Sequence, residues 1–353
     1  MPAVAYTVVI PAYQAADTLG DCLAALSVAR PAPSRVIVFD DGSRDGTGDI
    51  AQAYGATVIR NDGPNLGPAH GRNVGVAAAE TDIVVFVDAD VAVAPDAPHR
   101  LASAIASNRR TVAAFGAYGD RVSARVANLA GRYANLRHHA VHAQAGGASG
   151  EAEASTFWSG LGAVDRAAFL AVGGFDEAFA KPSVEDVDLG LRLRADGGDI
   201  RIVPEARGTH LKDWTLRQLW HTDVFCRAVP WSEMMAEGRI PPTLNTGRAE
   251  QAKSVLAHLV WITALVGLFA PWAWLVTLGA AGAYLWTCRS LFGVLRSDSR
   301  RLAAAGAGLH WLYHCYASVT CAIVLARIGF NTRMRRRDRA DRPAPQPAQS
   351  SPA

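Results

Sequence analysis

The chain has 353 residues, of which half are hydrophobic and 19% are charged, so the composition excludes a largely disordered protein. A formal net charge of +3 is too small to indicate a nucleic acid as partner. The cysteines are scattered and include no Cys-x-x-Cys pair, which excludes a disulfide framework and a thiolate zinc site. They are Cys22, Cys226, Cys288, Cys315 and Cys321.

Strand-like and helical patterns alternate over the first 120 residues. Runs rich in β-branched residues predict strands at 6–10, 35–39, 56–59 and 83–87, with helices between them at 17–28, 45–54 and 67–79. The alternation predicts an α/β fold with a mostly parallel, Rossmann-like sheet. Ligands bind such sheets at the carboxyl ends of the strands, and polar residues follow the first, second and fourth strands here. No glycine-rich dinucleotide or P-loop motif follows the first strand.

The triplet Asp88-Ala89-Asp90 follows the fourth predicted strand. In an extended segment, residues two apart point the same way, so both carboxylates would face one divalent cation. Hard oxygen ligands suit Mg²⁺ or Mn²⁺. Such a cation can bridge a diphosphate and stabilise it as a leaving group.

Further motifs accompany this triplet in a fixed order. They are Val8-Val9-Ile10-Pro11-Ala12-Tyr13, Val38-Phe39-Asp40-Asp41-Gly42-Ser43, Asn65-Leu66-Gly67 with Arg72-Asn73-Val74-Gly75, Gly173-Gly174-Phe175-Asp176-Glu177, and Val184-Glu185-Asp186-Val187-Asp188-Leu189. Over about residues 5–230 the chain resembles the family 2 glycosyltransferases of the GT-A fold, in their membrane-anchored bacterial form.

The resemblance implies roles for the donor-side residues. Pro11, Tyr13 and Asp41 would hold the nucleobase, Arg72 would lie near the diphosphate, and Asp88 would bind both the donor and the metal together with Asp90. An aromatic face and a carboxylate acceptor suit a uracil-like edge. The alternatives are that Asp41 caps the turn after the second strand and that Arg72 is a solvated surface charge.

The resemblance also assigns the catalytic carboxylates. Asp186, beside Glu185, would be the general base that deprotonates the acceptor hydroxyl. Both residues begin a predicted helix ending at residue 195, where carboxylates favour the helix dipole, so capping is the alternative for Glu185. His210, after a predicted strand at 200–203 and a turn at 204–208, would complete the metal shell or be structural.

The acceptor side is less sharply defined. Trp158 and Gly160 occupy the acceptor region in similar enzymes, although Phe157 and Trp158 are equally consistent with core packing. Arg227 would touch the diphosphate, and Trp231 would form an acceptor platform or a membrane-interface anchor. Their spacing departs from the Gln-x-x-Arg-Trp element of processive synthases, which weakens the interpretation of this chain as a processive synthase. His138 and His142 share a helical face and are interpreted as surface residues.

Composition changes abruptly after Lys253. Residues 254–288 and 302–326 contain no Asp, Glu, Lys or Arg. The first run would be about 52 Å long as one helix, whereas a bilayer core is about 30 Å thick, so we predict a hairpin of two spans hinged around Pro271. Because His310 and His314 share one face of the second run, it is expected to lie along the interface or re-enter. A buried helical domain in a soluble protein is the alternative.

These patterns divide the chain into a catalytic domain at 1–250, membrane-associated helices at 251–330 and a basic, disordered tail at 331–353. No signal peptide is visible, and arginines flank the apolar runs, so we expect a multi-pass protein of the cytoplasmic membrane with its catalytic domain in the cytoplasm.

The expected activity is inverting transfer of one sugar from a nucleoside diphosphate sugar, a UDP-sugar, to a lipid or lipid-linked acceptor, with Mg²⁺ or Mn²⁺ as cofactor. A processive polysaccharide synthase and a non-catalytic nucleotide-sugar-binding membrane protein are the alternatives. A homo-oligomer is left open.

Overall fold

The computed structural model describes residues 4–145, 152–179, 181–240 and 247–340. Within them, one mixed sheet contains the strands β1 Thr7–Ala12, β2 Arg35–Asp40, β3 Thr57–Arg60, β4 Ile83–Val87, β5 Val91–Val93, β6 Thr111–Tyr118, β7 Ala152–Glu153, β8 Leu161–Asp165 and β9 Asp199–His210. Their order is β3-β2-β1-β4-β8-β6-β9-β5, with β7 paired to β9.

Helices cover both faces of the sheet and continue beyond it. Those of the sheet domain are α1 Ala16–Ser27, α2 Thr47–Ala53, α3 Pro68–Ala78, α4 Ala97–Ala106, α5 Leu129–Ala145, α6 Arg166–Ala171, α7 Glu185–Ala195, α8 Leu216–His221 and α9 Val229–Ala236, with a π-helix at Thr222–Ala228 between the last two. The C-terminal helices are α10 Arg248–Gly267, α11 Ala273–Thr287, α12 Arg289–Asp298 and α13 Arg300–Ala340.

The N-terminal half of the sheet confirms the predicted α/β fold. Strands β3, β2, β1 and β4 are parallel neighbours, so the carboxyl ends of β1, β2 and β4 meet at one edge. Strand β8 then pairs antiparallel with both β4 and β6, which makes the second half mixed. Two apolar cores, one on each face, bury the β-branched runs of these strands.

Close approach of α3 to the sheet explains two glycines of the Gly-Arg-Asn-Val-Gly segment. A Cβ on Gly71 would lie 2.8 Å from the Phe39 ring, and one on Gly75 would lie 3.0 Å from a Val9 methyl. A side chain at either position would push α3 away from β1 and β2. The glycines therefore bring Arg72, between them in sequence, close to the carboxyl edge of the sheet.

The predicted turn at 204–208 is wrong, because this segment lies inside β9. In the ladder with β6, Phe115 pairs with Ile202 and Ala117 pairs with Arg207, so β9 accommodates extra residues as a bulge. Beyond the bulge the strand also pairs with β5, which places His210 opposite Val91. The bulge thus carries His210 to the end of the Asp88-Ala89-Asp90 triplet.

Helix α5 contacts the C-terminal helices on one side. Tyr133 and Leu136 pack with Leu291, Leu295 and Leu302. The Tyr133 hydroxyl lies 2.9 Å from His310 Nδ1, and Arg132 pairs with Asp298. The apolar and polar contacts together fix α12 and the first half of α13 against the sheet domain.

A buried carboxylate makes a second connection to the same helices. Asp223, in the π-helix, accepts hydrogen bonds from Arg137 Nη2 (2.6 Å), Arg227 Nη1 (3.2 Å) and the Tyr316 hydroxyl (2.7 Å). Burial raises the pKa of Asp223, but Arg137 and Arg227 hold it below its ordinary value, so the carboxyl is ionised. Helix α13 is therefore hydrogen-bonded to the segment that carries Arg227.

The predicted hairpin forms, but not as two full spans. Helices α10 and α11 are joined around Pro271, and α11, with 15 residues, is about 22 Å long, short of a bilayer core. Among the described residues, one helix, over Arg300–Arg333, is long and apolar enough to cross a membrane. The multi-pass expectation is therefore not supported.

The C-terminal boundaries also differ from the prediction. His310 and His314 are buried against the protein, as their shared face indicates, whereas large apolar side chains farther along α13 are exposed, including Ile323 and Phe330. Helix α13 ends at Ala340 and so includes the first ten residues of the segment predicted to be a disordered tail. The rest of that segment lies outside the described residues.

Candidate active site

Arg72 stands at the centre of the candidate site. Its Nη2 donates to Asp88 Oδ1 (2.7 Å) and its Nη1 to Glu185 Oε1 (3.1 Å). The residue is 3% exposed. It is therefore not a solvated surface charge, because both terminal nitrogens serve carboxylates. Its place near the diphosphate stays a prediction. Its visible effect is to join the end of β4 to the start of α7.

Asp186 lies beside this ion pair, on the first turn of α7. The amide N–H groups of Ser159 and Val187 donate to its two carboxylate oxygens at 3.2 and 2.8 Å. Burial, followed by the neighbouring charge of Glu185, raises its pKa to about 7, although Arg72 and the two amides act in the opposite direction. A carboxyl with a pKa near 7 can accept a proton efficiently at neutral pH.

Glu185 has a different environment. It is 4% exposed, and besides Arg72 it accepts the Ser183 N–H at 2.8 Å. These contacts hold the segment that leads into α7, and no described side chain caps the helix itself. The catalytic role of Glu185 stays a prediction. Asp188 pairs with Arg192 and Arg239 and is structural. Of the three carboxylates on this turn, Asp186 is the one for which no directly bound cation is seen among the described residues.

The Asp88-Ala89-Asp90 triplet is not extended as predicted. The Val91 N–H donates to the Asp88 carbonyl at 3.0 Å, which closes a turn. Asp88 binds Arg72, and Asp90 Oδ2 faces His210 Nε2 at 3.3 Å. The two carboxylates thus have different protein partners. Both still act on Tyr118: burial raises the pKa of its hydroxyl, and the charges of Asp90 and Asp88 raise it further.

The donor set fits a divalent cation that shares its ligands with a substrate. Within the described residues, no group of three or more His, Cys, Asp and Glu could hold a metal ion by itself. Mg²⁺ sites, however, commonly use one or two carboxylates plus substrate phosphates. Asp90 and His210 are the pair that would hold such a cation, since their facing atoms both accept when His210 carries its proton on Nδ1. Asp88 is partly exposed beside them.

The residues predicted to hold the nucleobase lie at the same sheet edge. Tyr13 is 52% exposed after β1 and free to stack, and Pro11 is partly buried. Asp41 is buried, and its oxygens accept from Asn61 Nδ2 (2.7 Å) and from the N–H groups of Leu66 and Gly67. Those bonds hold the loop before α3. These contacts fit the turn-holding alternative, and the nucleobase contact of Asp41 stays a prediction.

Three aromatic or imidazole rings cluster around Trp158. Tyr118, His138 and His142 lie 4.9, 4.6 and 4.8 Å from the Trp158 ring. A Cβ on Gly160 would lie 2.6 Å from the indole, so glycine is needed for this packing. Phe157 is a core residue. The interpretation of His138 and His142 as surface residues is wrong: burial lowers the pKa of both, to about 4 for His142, so both rings are neutral.

Arg227 and Trp231 have different surroundings. Arg227 is half exposed and binds Asp223, and its charge contributes to the lowered pKa of His138 and His142. Trp231 instead packs against the apolar cluster that includes Val184 and Val187 at the start of α7. Its role as acceptor platform or interface anchor stays a prediction.

Sequence reasoning missed three residues here. The amide of Ser159 binds Asp186, and Lys212 places a positive charge near Asp90. Asn135 hydrogen-bonds His210. Only Lys212, two residues from His210, carries a signal in the sequence, a cation near a candidate metal ligand. The other two depend on tertiary packing.

Arg72 thus connects the carboxylate of Asp88 to the first turn of α7, where Asp186 lies. Comparison with known families agrees with the resemblance of the motifs: residues 7–169 match the model described as glycosyl transferase family 2, and over these residues the chain belongs to that family. Residues 140–213 match a second model, described as the N-terminal domain of galactosyltransferase.

One group of relatives has the name 4,4'-diaponeurosporenoate glycosyltransferase. The protein from Staphylococcus aureus (strain USA300) is 40% identical over 91 residues, which cover 25% of this chain and 24% of the relative. The match therefore spans about a quarter of the length of that relative.

Distant likenesses exist among solved structures. The mannosyltransferase PcManGT from Pyrobaculum calidifontis, in complex with GDP-Man and Mn²⁺, is 18% identical with a TM-score of 0.48, over 91% of this chain and 86% of that one. GalNAc-T7 with UDP, GalNAc and Mn²⁺ is 16% identical with a TM-score of 0.47, over 61% and 44%.

Proposed function

We propose that this glycosyltransferase moves one sugar, with inversion, from a nucleoside diphosphate sugar to an acceptor at the cytoplasmic face of a membrane. A UDP-sugar is the proposed donor. The observation that carries the proposal is the position of Asp186, a carboxyl with a pKa of about 7, joined through Arg72 and Glu185 to the Asp88 end of β4. A protein that only binds nucleotide sugars has no need of such a base.

In the proposed reaction, Asp186 accepts the proton of the acceptor hydroxyl as the oxygen attacks the anomeric carbon and the bond to the diphosphate breaks. One displacement at that carbon inverts its configuration. Asp90 and His210 would hold a Mg²⁺ or Mn²⁺ ion, which supplies charge stabilisation for the leaving diphosphate when bound. Tyr13 would stack on the nucleobase, and Trp158 would lie beside the sugar.

Donor binding tests this proposal most directly. We expect UDP to bind the full chain in the presence of Mn²⁺, and the Asp90→Asn variant to lose at least about tenfold in Mn²⁺ affinity, since even outer-shell changes at metal sites cost that much. Titration calorimetry with UDP measures nucleotide binding, with GDP for comparison, and titration with Mn²⁺ measures the metal affinity. Asp96→Asn, on an exposed carboxylate paired only with Arg100, is the matched control. Absence of nucleotide binding, or equal Mn²⁺ affinity in the two variants, would contradict the proposal.

Exposed apolar side chains support the membrane part of the proposal. Phe269 at the tip of the α10–α11 hairpin is 90% exposed, and Leu275, Leu278 and Trp286 are more than two-thirds exposed. Large exposed apolar side chains concentrated in one segment favour a contact with membrane or protein. Helix α13 joins the same unit, because Trp311 Nε1 donates to the Ala257 carbonyl at 2.9 Å. A membrane contact would bring the site close to an acceptor held in the bilayer.

Flotation with phosphatidylcholine and phosphatidylglycerol vesicles checks the membrane contact. We expect the full chain to float with the vesicles and the Phe269→Ser/Leu275→Ser double variant to bind at least about tenfold more weakly, because each buried side chain of this size contributes about 1.5–3 kcal/mol. Val28→Ser, which removes a half-exposed apolar side chain from the sheet domain, is expected to bind as the wild type does. Equal binding of all three proteins would refute the membrane contact.

A further inference from the structure

Both ring nitrogens of His210 face a partner. Nδ1 lies 2.6 Å from Asn135 Oδ1, and Nε2 lies 3.3 Å from Asp90 Oδ2. His210 and Asn135 are both buried. Their contact joins the middle of α5 to the last residue of β9, 75 positions along the chain. No bulk water competes for it, so the contact fixes the orientation of the ring.

The Asn135 side chain makes a second contact that fixes which of its atoms faces the ring. Its Nδ2 lies 3.5 Å from the His210 carbonyl oxygen, an acceptor, and so donates to it. The amide oxygen is then turned toward Nδ1. Because that oxygen can only accept a hydrogen bond, Nδ1 carries the proton. A neutral imidazole has one N–H, which leaves Nε2 as a lone pair directed at the Asp90 carboxylate.

With the proton on Nδ1, the Nε2 lone pair and the Asp90 oxygen, 3.3 Å apart, are placed to share one cation. We propose that Asn135 is a positioning residue, which holds His210 in the Nδ1–H form so that Nε2 and Asp90 together bind the divalent cation of the proposed function. The inference rests on that function. It assigns to α5 the role that carbonyl or carboxylate partners have at other metal-bound histidines.

The surroundings of Asn135 hold it in place from two sides. Along α5, Tyr133 is hydrogen-bonded to His310 and Arg137 to Asp223. On the other side of the imidazole, the Tyr118 ring stacks on His210 at 4.8 Å with an interplanar angle of 18°. The Leu211 N–H donates to the Asp90 carbonyl at 2.8 Å, which keeps the two candidate ligands in register. The ring therefore has one allowed orientation.

Substitution of Asn135 tests the inference through metal binding. In the presence of UDP, we expect Asn135→Leu to bind Mn²⁺ about 10–100-fold more weakly than the wild type, by titration of the free-ion electron paramagnetic resonance signal. Asn135→Asp keeps an oxygen that accepts the Nδ1 proton, so it should retain most of the affinity. Pulsed electron paramagnetic resonance should detect an imidazole nitrogen bound to Mn²⁺ in the wild type and in Asn135→Asp. The same nitrogen signal should be weaker in Asn135→Leu.

The outcomes separate this inference from the proposed function. Wild-type Mn²⁺ affinity in Asn135→Leu, or an equal loss in the Leu and Asp variants, would overturn the positioning role. If Asp90→Asn nevertheless loses Mn²⁺, the proposed metal site stands and only the role of Asn135 falls. If Asp90→Asn binds Mn²⁺ as the wild type does, the metal site itself is wrong. If Asn135→Leu loses Mn²⁺ affinity and Asn135→Asp retains it, the result supports both the positioning role of Asn135 and the proposed metal site.

Discussion

Replacing Asp186 with Asn is expected to lower sugar transfer by about 10²–10⁴-fold while leaving nucleotide binding nearly unchanged. The amide has the shape of the carboxyl and can still accept the Ser159 N–H, but it cannot take a proton from the acceptor. Transfer is measured as product formed from a UDP-sugar, with a total lipid extract as acceptor, and nucleotide binding as UDP affinity with Mn²⁺.

The control for this change lies at the other end of the same helix. Asp196 is exposed at the C-terminal end of α7, so Asp196→Asn should transfer sugar as the wild type does. The assignment of the base fails if Asp186→Asn keeps more than about a tenth of the wild-type rate, because general base catalysis is worth more than that.

The raised pKa of Asp186 also fixes a pH dependence. The base works as the carboxylate, and its pKa is about 7, so the transfer rate should rise with pH and level off above it. Between pH 6 and pH 8 the ionised fraction increases about tenfold. Asp186→Asn should lose this rise. A wild-type profile that is flat over the same range would contradict the assignment.

Replacing Arg72 with Met is expected to lower the free energy of unfolding by about 3–5 kcal/mol. The change leaves Glu185, which is almost fully buried, without its cation, and uncompensated buried charge is among the costliest defects in a protein interior. Urea unfolding of the full chain in detergent measures the difference. Adding Glu185→Gln removes the stranded charge and should recover much of the loss.

A matched ion pair isolates the effect of burial. Arg100 contacts Asp96 at 2.7 Å, the distance between Arg72 and Asp88, but the Arg100 and Asp96 side chains are 48% and 50% exposed against 4% and 34% for the site pair. Arg100→Met should therefore cost about 0–1 kcal/mol. If the two arginine variants lose the same stability, the ion pair around Arg72 is not the structural centre of the site.

Local patterns were sufficient to predict the parallel half of the sheet. Strand β4 forms over the predicted residues 83–87, and α7 runs over the predicted 185–195. The first is an uninterrupted apolar run, and acidic residues mark the start of the second. The turn predicted at 204–208 failed for a tertiary reason. Pro204 and Gly208 signal a turn locally, but pairing with β6 absorbs the extra residues as a bulge within one strand.

The site was predictable in its members more than in its contacts. The motifs identified Asp88, Asp90, Asp186 and His210, yet the spacing of the triplet suggested an extended segment where a turn forms. His138 and His142 share a helical face in the sequence, but only the packing of α5 against Trp158 reveals that this face is internal. Asn135 has no signature at all, since an asparagine in a helix is usually a solvated residue.

The position of α5 between the sheet and the C-terminal helices has a practical consequence. A protein shortened to its first 250 residues would leave Tyr133 and Leu136 without their apolar cover and Asp223 without the Tyr316 hydroxyl. Since the same helix carries Asn135 and its π-helical neighbour carries Arg227, such a fragment would be altered where chemistry is proposed to occur. Assays of the enzyme accordingly call for the intact polypeptide in a detergent or lipid environment.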